Sequence, residues 1–229
     1  RNISTALMRS WENRADTIVV DEPLYAHLNV TGLDHPGRQE VIAAGETNWR
    51  TVVSALLGPV PDGITVFYQK HMTHHLLPDM ERTWILGLAN VMLIRDPREV
   101  LASYVRSRAD VTADDLGLPQ QIQLYEELVA AGLPPPVIDA SDFLRQPEVY
   151  LRGLCRHVGV DFADQMLTWP PGPRDSDGVW GRYWYEAVWK STGFAEHRPR
   201  NPRLDGHRAV LAEQCRPIYE RLREARWVL

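Results

Sequence analysis

The sequence predicts an α/β architecture, with a central, mainly parallel sheet flanked by helices, on three observations. Segments of helical periodicity alternate with short strand-like runs along the chain, the pattern of a parallel sheet whose crossovers are helices. Val91–Ile94 is a continuous apolar run, as a strand covered on both faces requires. It leads directly into Asp96-Pro97, a helix cap followed by proline at the first helical position. Finally, 229 residues suffice to bury a single core, and no repeat, low-complexity tract or linker divides them. Residues 1–229 therefore read as one domain, with about four or five strands in its sheet.

The elements follow in order. Residues 3–14 read as a helix with Ile3, Leu7 and Trp11 on one face. Thr17–Val20 is a short β-branched strand ending at Asp21-Glu22-Pro23. Residues 48–57 form a helix capped by Asn48, apolar at Val52, Val53, Leu56 and Leu57 and closed by Gly58-Pro59. Ile64–Tyr68 is a strand, followed by Gln69-Lys70-His71. The strand at residues 91–94 and a helix ending near Arg108 come next. A helix over residues 119–131 precedes Gly132 and three prolines, which lead into the strand Pro136–Asp139. Tyr150, Leu151, Leu154 and Val158 mark a helix over 147–158. Thr168–Gly178, rich in proline, glycine and aspartate, is a surface loop with the composition of a lid. An aromatic helix over 180–190 and a final helix over 206–226, with Leu211, Cys215, Ile218 and Leu222 on one stripe, complete the chain.

Composition excludes several classes. A net charge of −5 with 25 basic residues gives no nucleic-acid footprint, so any anion site must be a local focus of arginines. No apolar run approaches the ~18–20 residues of a membrane span. Cys155 and Cys215 have neither metal spacing nor a disulfide framework, which points to a reducing cytoplasm. No signal peptide is visible. The chain opens on Arg1 without a methionine, and a further strand is expected upstream of it.

Five segments carry candidate chemistry. Arg95 stands at the carboxyl end of its strand, the edge at which open α/β sheets bind ligands. Ser103 lies on the following helix, about 9 Å along its axis, so the two could grip one phosphate by charge-assisted hydrogen bonds. The alternative is that Arg95 pairs with Asp96 or Glu99 on the helix surface. The chain start, Arg1-Asn2-Ile3-Ser4-Thr5, opens a helix with a cation and small hydroxylated residues, suited to a phosphate or sulfate at unpaired helix amides. The nucleotide-triphosphate pattern G-x-x-x-x-G-K-[ST] is absent. Asp21-Glu22 supplies carboxylates just beyond a strand, where a solvated acidic turn is the alternative. In Tyr68-Gln69-Lys70-His71-Met72-Thr73-His74-His75-Leu76-Leu77-Pro78 the tight H-x-x-H-H spacing, with no fourth ligand, argues against zinc. The aromatic run Trp180–Tyr185, with Trp189, suits either a ring-stacking platform or core packing.

Together, Arg1–Arg9 and Ile94–Ser103 resemble the sulfotransferase superfamily. The first is similar to its 5′-phosphosulfate loop, P-R-S-G-T-T-L, with the leading proline upstream of Arg1. The second is similar to its 3′-phosphate motif, an arginine followed eight residues later by a serine. The resemblance implies a P-loop-type three-layer fold. It also implies 3′-phosphoadenosine 5′-phosphosulfate as sulfuryl donor, adenosine 3′,5′-bisphosphate as product, and no metal. Arg95 and Ser103 would hold the 3′-phosphate; Asn2, Ile3, Ser4 and Thr5 would wrap the 5′-phosphosulfate; Arg1 would stabilise charge on the bridging oxygen. Glu22 lies 21 residues after Arg1, the spacing of the general base in the tyrosylprotein branch. His71 falls on the catalytic histidine of the cytosolic pattern K-T-H-L-P-x-x-L-L-P, as a rival base or a positioning partner. Gln69 stands where that pattern has a sulfate-contacting lysine, with Lys70 beside it.

The sequence departs from the family at Ile3 (glycine), Arg1 (lysine in cytosolic members) and Ala6 (an adenine-stacking tryptophan). The C-terminal glycine-rich loop has only Arg198 and Arg200 as candidates. Over its full length the chain most resembles a bacterial sulfotransferase-like group that also occurs fused to aminotransferase-like domains in plants. The implied reaction is in-line sulfuryl transfer to a hydroxyl or amine of a small-molecule acceptor, with no nucleic-acid or membrane partner. The alternatives are a domain that holds the bisphosphate or another nucleotide without turnover, and a P-loop-derived kinase or hydrolase.

Overall fold

A computed structural model describes residues 3–32, 36–104, 111–198, 202–204 and 206–229. Its described residues form two compact units that alternate along the chain: Ser4–Trp84 with Leu151–Ala195, and Ile85–Tyr150 with Glu196–Leu229, to which Ile3 belongs. Four strands lie among the described residues, in two parallel pairs amid helices, as the α/β reading requires.

The first unit begins with helix α1, Ser4–Glu12, which buries Leu7, Met8 and Trp11. Trp11 stacks on Tyr68 with ring centroids 5.8 Å apart. Strand β1, Thr17–Asp21, is followed by the short helices α2, Tyr25–Val30, and α3, Arg38–Ala44. Helix α4, Trp49–Leu56, is capped by Asn48, whose side chain accepts from the Arg50 amide, the residue the sequence marks for that role. Strand β2, Val66–Lys70, pairs with β1 in parallel from Thr17 opposite Val66 to Asp21 opposite Lys70. The strand thus starts and ends two residues beyond the predicted Ile64–Tyr68. Its last residue, Lys70, is buried, a position the sequence leaves in the connecting segment.

In the second unit, β3, Met92–Ile94, pairs in parallel with β4, Val137–Asp139. Helix α5, Pro97–Tyr104, begins as predicted, with Asp96 accepting from the Arg98 amide at 2.7 Å; the predicted continuation to Arg108 lies outside the described residues. The four-residue α6, Ala113–Leu116, and α7, Leu118–Ala130, follow. Asp139 closes β4 and caps α8, Ala140–Arg145, through the Ser141 amide at 2.7 Å.

Helix α9, Pro147–Val158, carries the chain from the second unit into the first. The predicted aromatic helix is two single turns, α10, Gly181–Trp184, and α11, Glu186–Trp189. Trp180 and Tyr185 are buried with Tyr25, Ala26, Leu28 and Val41, so core packing accounts for much of this aromatic run. The final helix, α12, Gly206–Glu224, packs Leu211, Ala212 and Cys215 with Leu101, Val111 and Leu118 of its own unit.

Candidate active site

Parallel pairing brings β1 and β2 to a common end, and that end gathers the ionisable groups. Asp21 and Lys70 are register partners, both about 95% buried. Lys70 Nζ donates to Asp21 Oδ1 at 2.7 Å, to Glu22 Oε1 at 2.5 Å and to the Tyr185 hydroxyl at 2.9 Å. An ammonium has three hydrogens, so Lys70 is fully committed and is not the sulfate-contacting cation its place beside Gln69 suggested.

Tyr185 is equally committed. Its hydroxyl donates to Asp21 Oδ2 at 2.7 Å and accepts from Lys70 and from Trp180 Nε1, the latter at 3.2 Å. Both Asp21 oxygens are thereby used. Glu22 differs: Oε1 takes the Lys70 bond, whereas the contact recorded for Oε2 is His75 Nε2 at 3.9 Å, beyond hydrogen-bond range. The Glu22 side chain is also the more accessible of the two carboxylates, 13% against 1% for Asp21. Of the pair, Glu22 keeps an oxygen able to receive a proton from outside the cluster.

The backbone presents Glu22 at a cost. Its φ is +43°, the positive-φ non-glycine residue among those described, a conformation worth about 1–3 kcal/mol of strain. Two hydrogen bonds hold it there, Glu22 N–H to Lys70 O at 2.8 Å and Tyr25 N–H to Glu22 O at 2.9 Å. His75, itself buried, stacks on Tyr25 with centroids 4.9 Å apart.

Charge sets the electrostatics of this cluster. One ammonium faces two carboxylates, leaving an excess negative charge in a site of low dielectric, where burial disfavours the ionised form. Burial accordingly raises the Asp21 carboxyl above its ordinary range, with Glu22 adding to the effect against the pull of Lys70. Burial also works against the charged form of Lys70, but Glu22 and Asp21 outweigh it and keep the amine protonated well past its ordinary range. The Tyr185 hydroxyl is held protonated by burial and by Glu22.

His71 follows directly after β2. Gln69 Nε2 donates to Leu56 O at 2.9 Å, which fixes its amide so that Oε1 faces His71 Nε2 at 3.3 Å. That contact assigns the proton to Nε2 and leaves Nδ1 as acceptor. Burial, with the neighbouring Lys70 charge, lowers the His71 pKa to about 4, so its ring is neutral at pH 7. Its ring lies 5.8 Å from Trp84. His74 and His75 pack edge to face at 4.6 Å. Among the described residues no group of three or more His, Cys, Asp or Glu side chains is placed to hold a metal ion.

Of the expected donor-binding residues, Arg1 and Asn2 lie outside the described residues, as does Arg200. Ile3 forms a bend before α1; Ser4 and Thr5 open the helix, Ser4 half-buried and Thr5 buried, with no acidic side chain in the first turn. In the other unit Arg95, 17% exposed, donates through Nε and Nη2 to Glu99 Oε2 at 2.8 and 2.6 Å. This is the helix-surface pair the sequence offered as the alternative to a phosphate grip. Ser103 Oγ donates to Val100 O at 2.7 Å. Arg198 is exposed.

Asp21 and Glu22 come from the acidic turn singled out in the sequence and His71 from the segment after β2, whereas Tyr185 was not expected here and Lys70 was expected beside a sulfate rather than between two carboxylates. The signal for Asp21 and Lys70 was available: had β1 and β2 been ended one and two residues later, parallel pairing would have set them side by side. Tyr185 reaches the site from 115 residues beyond Lys70, and no local pattern announces it.

Comparison with known proteins bears on this arrangement. The sequence matches the family described as a sulfotransferase domain over residues 1–226. It is 38% identical over 227 residues to branched-chain-amino-acid aminotransferase-like protein 1 of Arabidopsis thaliana, and 35% identical over 225 residues to protein 2 of the same name and plant. Each match covers 97% of this chain and 40% of the relative, so the chain spans less than half the length of these proteins. Among solved structures, the sulfotransferase domain from the curacin biosynthetic pathway aligns over 93% of both chains, at 16% identity and a TM-score of 0.48. The sulfotransferase domain from the Synechococcus PCC 7002 olefin synthase aligns over 93% of this chain and 90% of its own, at 15% identity and a TM-score of 0.45. On the match that spans nearly its whole length, the chain belongs to the sulfotransferase domain family.

Proposed function

We propose that this domain transfers the sulfuryl group of 3′-phosphoadenosine 5′-phosphosulfate to a hydroxyl or amine of a small-molecule acceptor, with Glu22 as general base. The observation that carries the reading is the open Oε2 of Glu22 in a cluster holding one more carboxylate than it has cations. A carboxylate with an open oxygen at the end of two parallel strands is placed to take a proton from an acceptor hydroxyl.

The residues present fit a polyanionic donor. Helix α1 is nine residues long, opens with Ser-Thr and carries no acidic group in its first turn, so its amides and positive dipole end suit a phosphosulfate. Arg1 to Thr5 are assigned that part of the donor, and Arg95 with Ser103 the 3′-phosphate, Glu99 orienting the guanidinium. When bound, the donor supplies a sulfuryl group whose bridging S–O bond breaks as the acceptor oxygen bonds to sulfur. Arg1 opposes the charge that develops on the bridging oxygen. Glu22 Oε2 takes the acceptor's hydroxyl proton, and His71 Nδ1 receives a hydrogen bond that orients the acceptor.

Thermal-shift measurements test the donor assignment. Adenosine 3′,5′-bisphosphate is expected to raise the melting temperature, and ATP with magnesium to leave it unchanged. A response to ATP alone would favour a kinase or hydrolase. Stabilisation by the bisphosphate without turnover of labelled donor would favour a binding domain.

A further inference from the structure

We infer that Tyr185 is a positioning residue that decides which of the two clustered carboxylates acts as the proton acceptor, by committing its hydroxyl proton to Asp21 and so leaving the open, proton-accepting oxygen to Glu22. The inference deepens the reading of Glu22 as base and rests on it.

The geometry is specific. A phenol has one proton to donate, and Tyr185 has two carboxylates in reach: Asp21 Oδ2 at 2.7 Å and Glu22 Oε1 at 3.4 Å. The shorter contact takes the proton. The acceptor side of the oxygen is filled by Lys70 at 2.9 Å and Trp180 Nε1 at 3.2 Å, which fixes the direction in which the hydroxyl can point. Asp21 thus receives two donors, from Lys70 and Tyr185, which favour its anion against the burial that raises its carboxyl. Glu22 Oε1 accepts from Lys70 at 2.5 Å and lies farther from the tyrosine hydroxyl, at 3.4 Å. Without the tyrosine hydroxyl, Asp21 would lack one donor in a buried site and would be the easier group to protonate. Lys70 would then face a single anion, Glu22, and would hold that carboxylate more firmly in its charged, less basic form.

The ionisable groups around the cluster are few. Asp21 and Glu22 come from β1 and its exit, Tyr68, Lys70 and His71 from β2 and its exit, Tyr25 from α2, His75 from the turn after β2, and Tyr185 from between α10 and α11. Tyr68 is pushed up by burial and His71 is lowered to about 4.

Carboxyl-carbon NMR titration of protein labelled at its aspartate and glutamate side-chain carboxyls reads the two groups separately, without any acceptor. In Tyr185→Phe the Asp21 titration is expected to move up by about one pH unit or more, and that of Glu22 to move down. In a protein carrying 3-fluorotyrosine at position 185, a stronger donor of nearly the same shape, Asp21 is expected to move down. This second variant preserves the test should Tyr185→Phe fail to fold. Opposite movements support the inference. Both carboxyls unmoved, both moving the same way, or only one moving would overturn it. The bisphosphate thermal shift reports on the donor reading independently, so failure of one is distinguishable from failure of the other.

Discussion

Glu22 carries the most consequence for its size. Replacing it with glutamine removes the proton acceptor and one of two charges competing for Lys70. Turnover of labelled donor is expected to fall about 100-fold or more, while the melting temperature does not fall and donor-product affinity is unchanged. Removing the cation has the opposite signature. Lys70→Met leaves two buried carboxylates without a partner and is expected to cost about 3–5 kcal/mol in urea unfolding. His71 gives a pH dependence. Its folded pKa, lowered to about 4 by burial and Lys70, lies below the unfolded value of about 6.5. Its contribution is therefore fully present above pH 6.5 and is lost as pH falls toward 4, up to about 3 kcal/mol. His71→Gln is expected to flatten the unfolding free energy across that window. Glu22 and His71 could be nominated from the sequence because each sits at a fixed spacing from a recognisable local motif. Tyr185 was not, because its role depends on a long-range contact rather than on its neighbours.

Among the elements, α1 is the one most firmly fastened through polar side chains. Its polar residues are turned inward: Arg9 is 1% exposed and pairs with Asp177 through Nη2 at 2.6 Å, and buried Ser10 donates to Met166 O at 2.6 Å. Asn13 donates to Gln165 O and Thr168 O, and Arg14 Nη1 to Asp161 O. Asp177 also accepts from Trp189 Nε1 and from the Arg174 amide. The Thr168–Gly178 segment is thus fastened to α1 at this aspartate, a firmer connection than the lid its composition suggested. Asp177→Ala leaves buried Arg9 only the longer Glu12 contact at 3.5 Å and is expected to cost about 3 kcal/mol and to expose this segment to limited proteolysis. Ser10→Ala is expected to cost about 1–2 kcal/mol and to leave proteolysis unchanged. Elements with strong caps were readable: Asn48 and Asp96 mark their helices correctly. Helices of six or seven residues, such as α2 and α3, are too short to establish a helical period. The two-residue displacement of β2 arose because Gln69 and Lys70 look like loop residues; Lys70 is tolerated in the strand only through its buried carboxylate partners.

For the whole molecule, the two compact units are not successive in sequence. The chain leaves each and returns to it, and α9 spans the passage at Tyr150–Leu151. Independent domains are normally joined by exposed linkers at which few contacts cross. The single-domain reading therefore predicts one cooperative transition in calorimetry, with calorimetric and van't Hoff enthalpies equal; two resolved transitions would contradict it. The parallel α/β class was legible from alternation alone, whereas the division into units was not, since it depends on which distant segments pack together. Sulfuryl transfer with Glu22 as base is the reading we propose. It is tested by following radiolabelled sulfate from 3′-phosphoadenosine 5′-phosphosulfate into an extract of hydroxyl-bearing metabolites, with the unaltered protein and Glu22→Gln side by side. A labelled product is expected with the first and its loss with the second. No labelled product with the unaltered protein, or full labelling with Glu22→Gln, would contradict it.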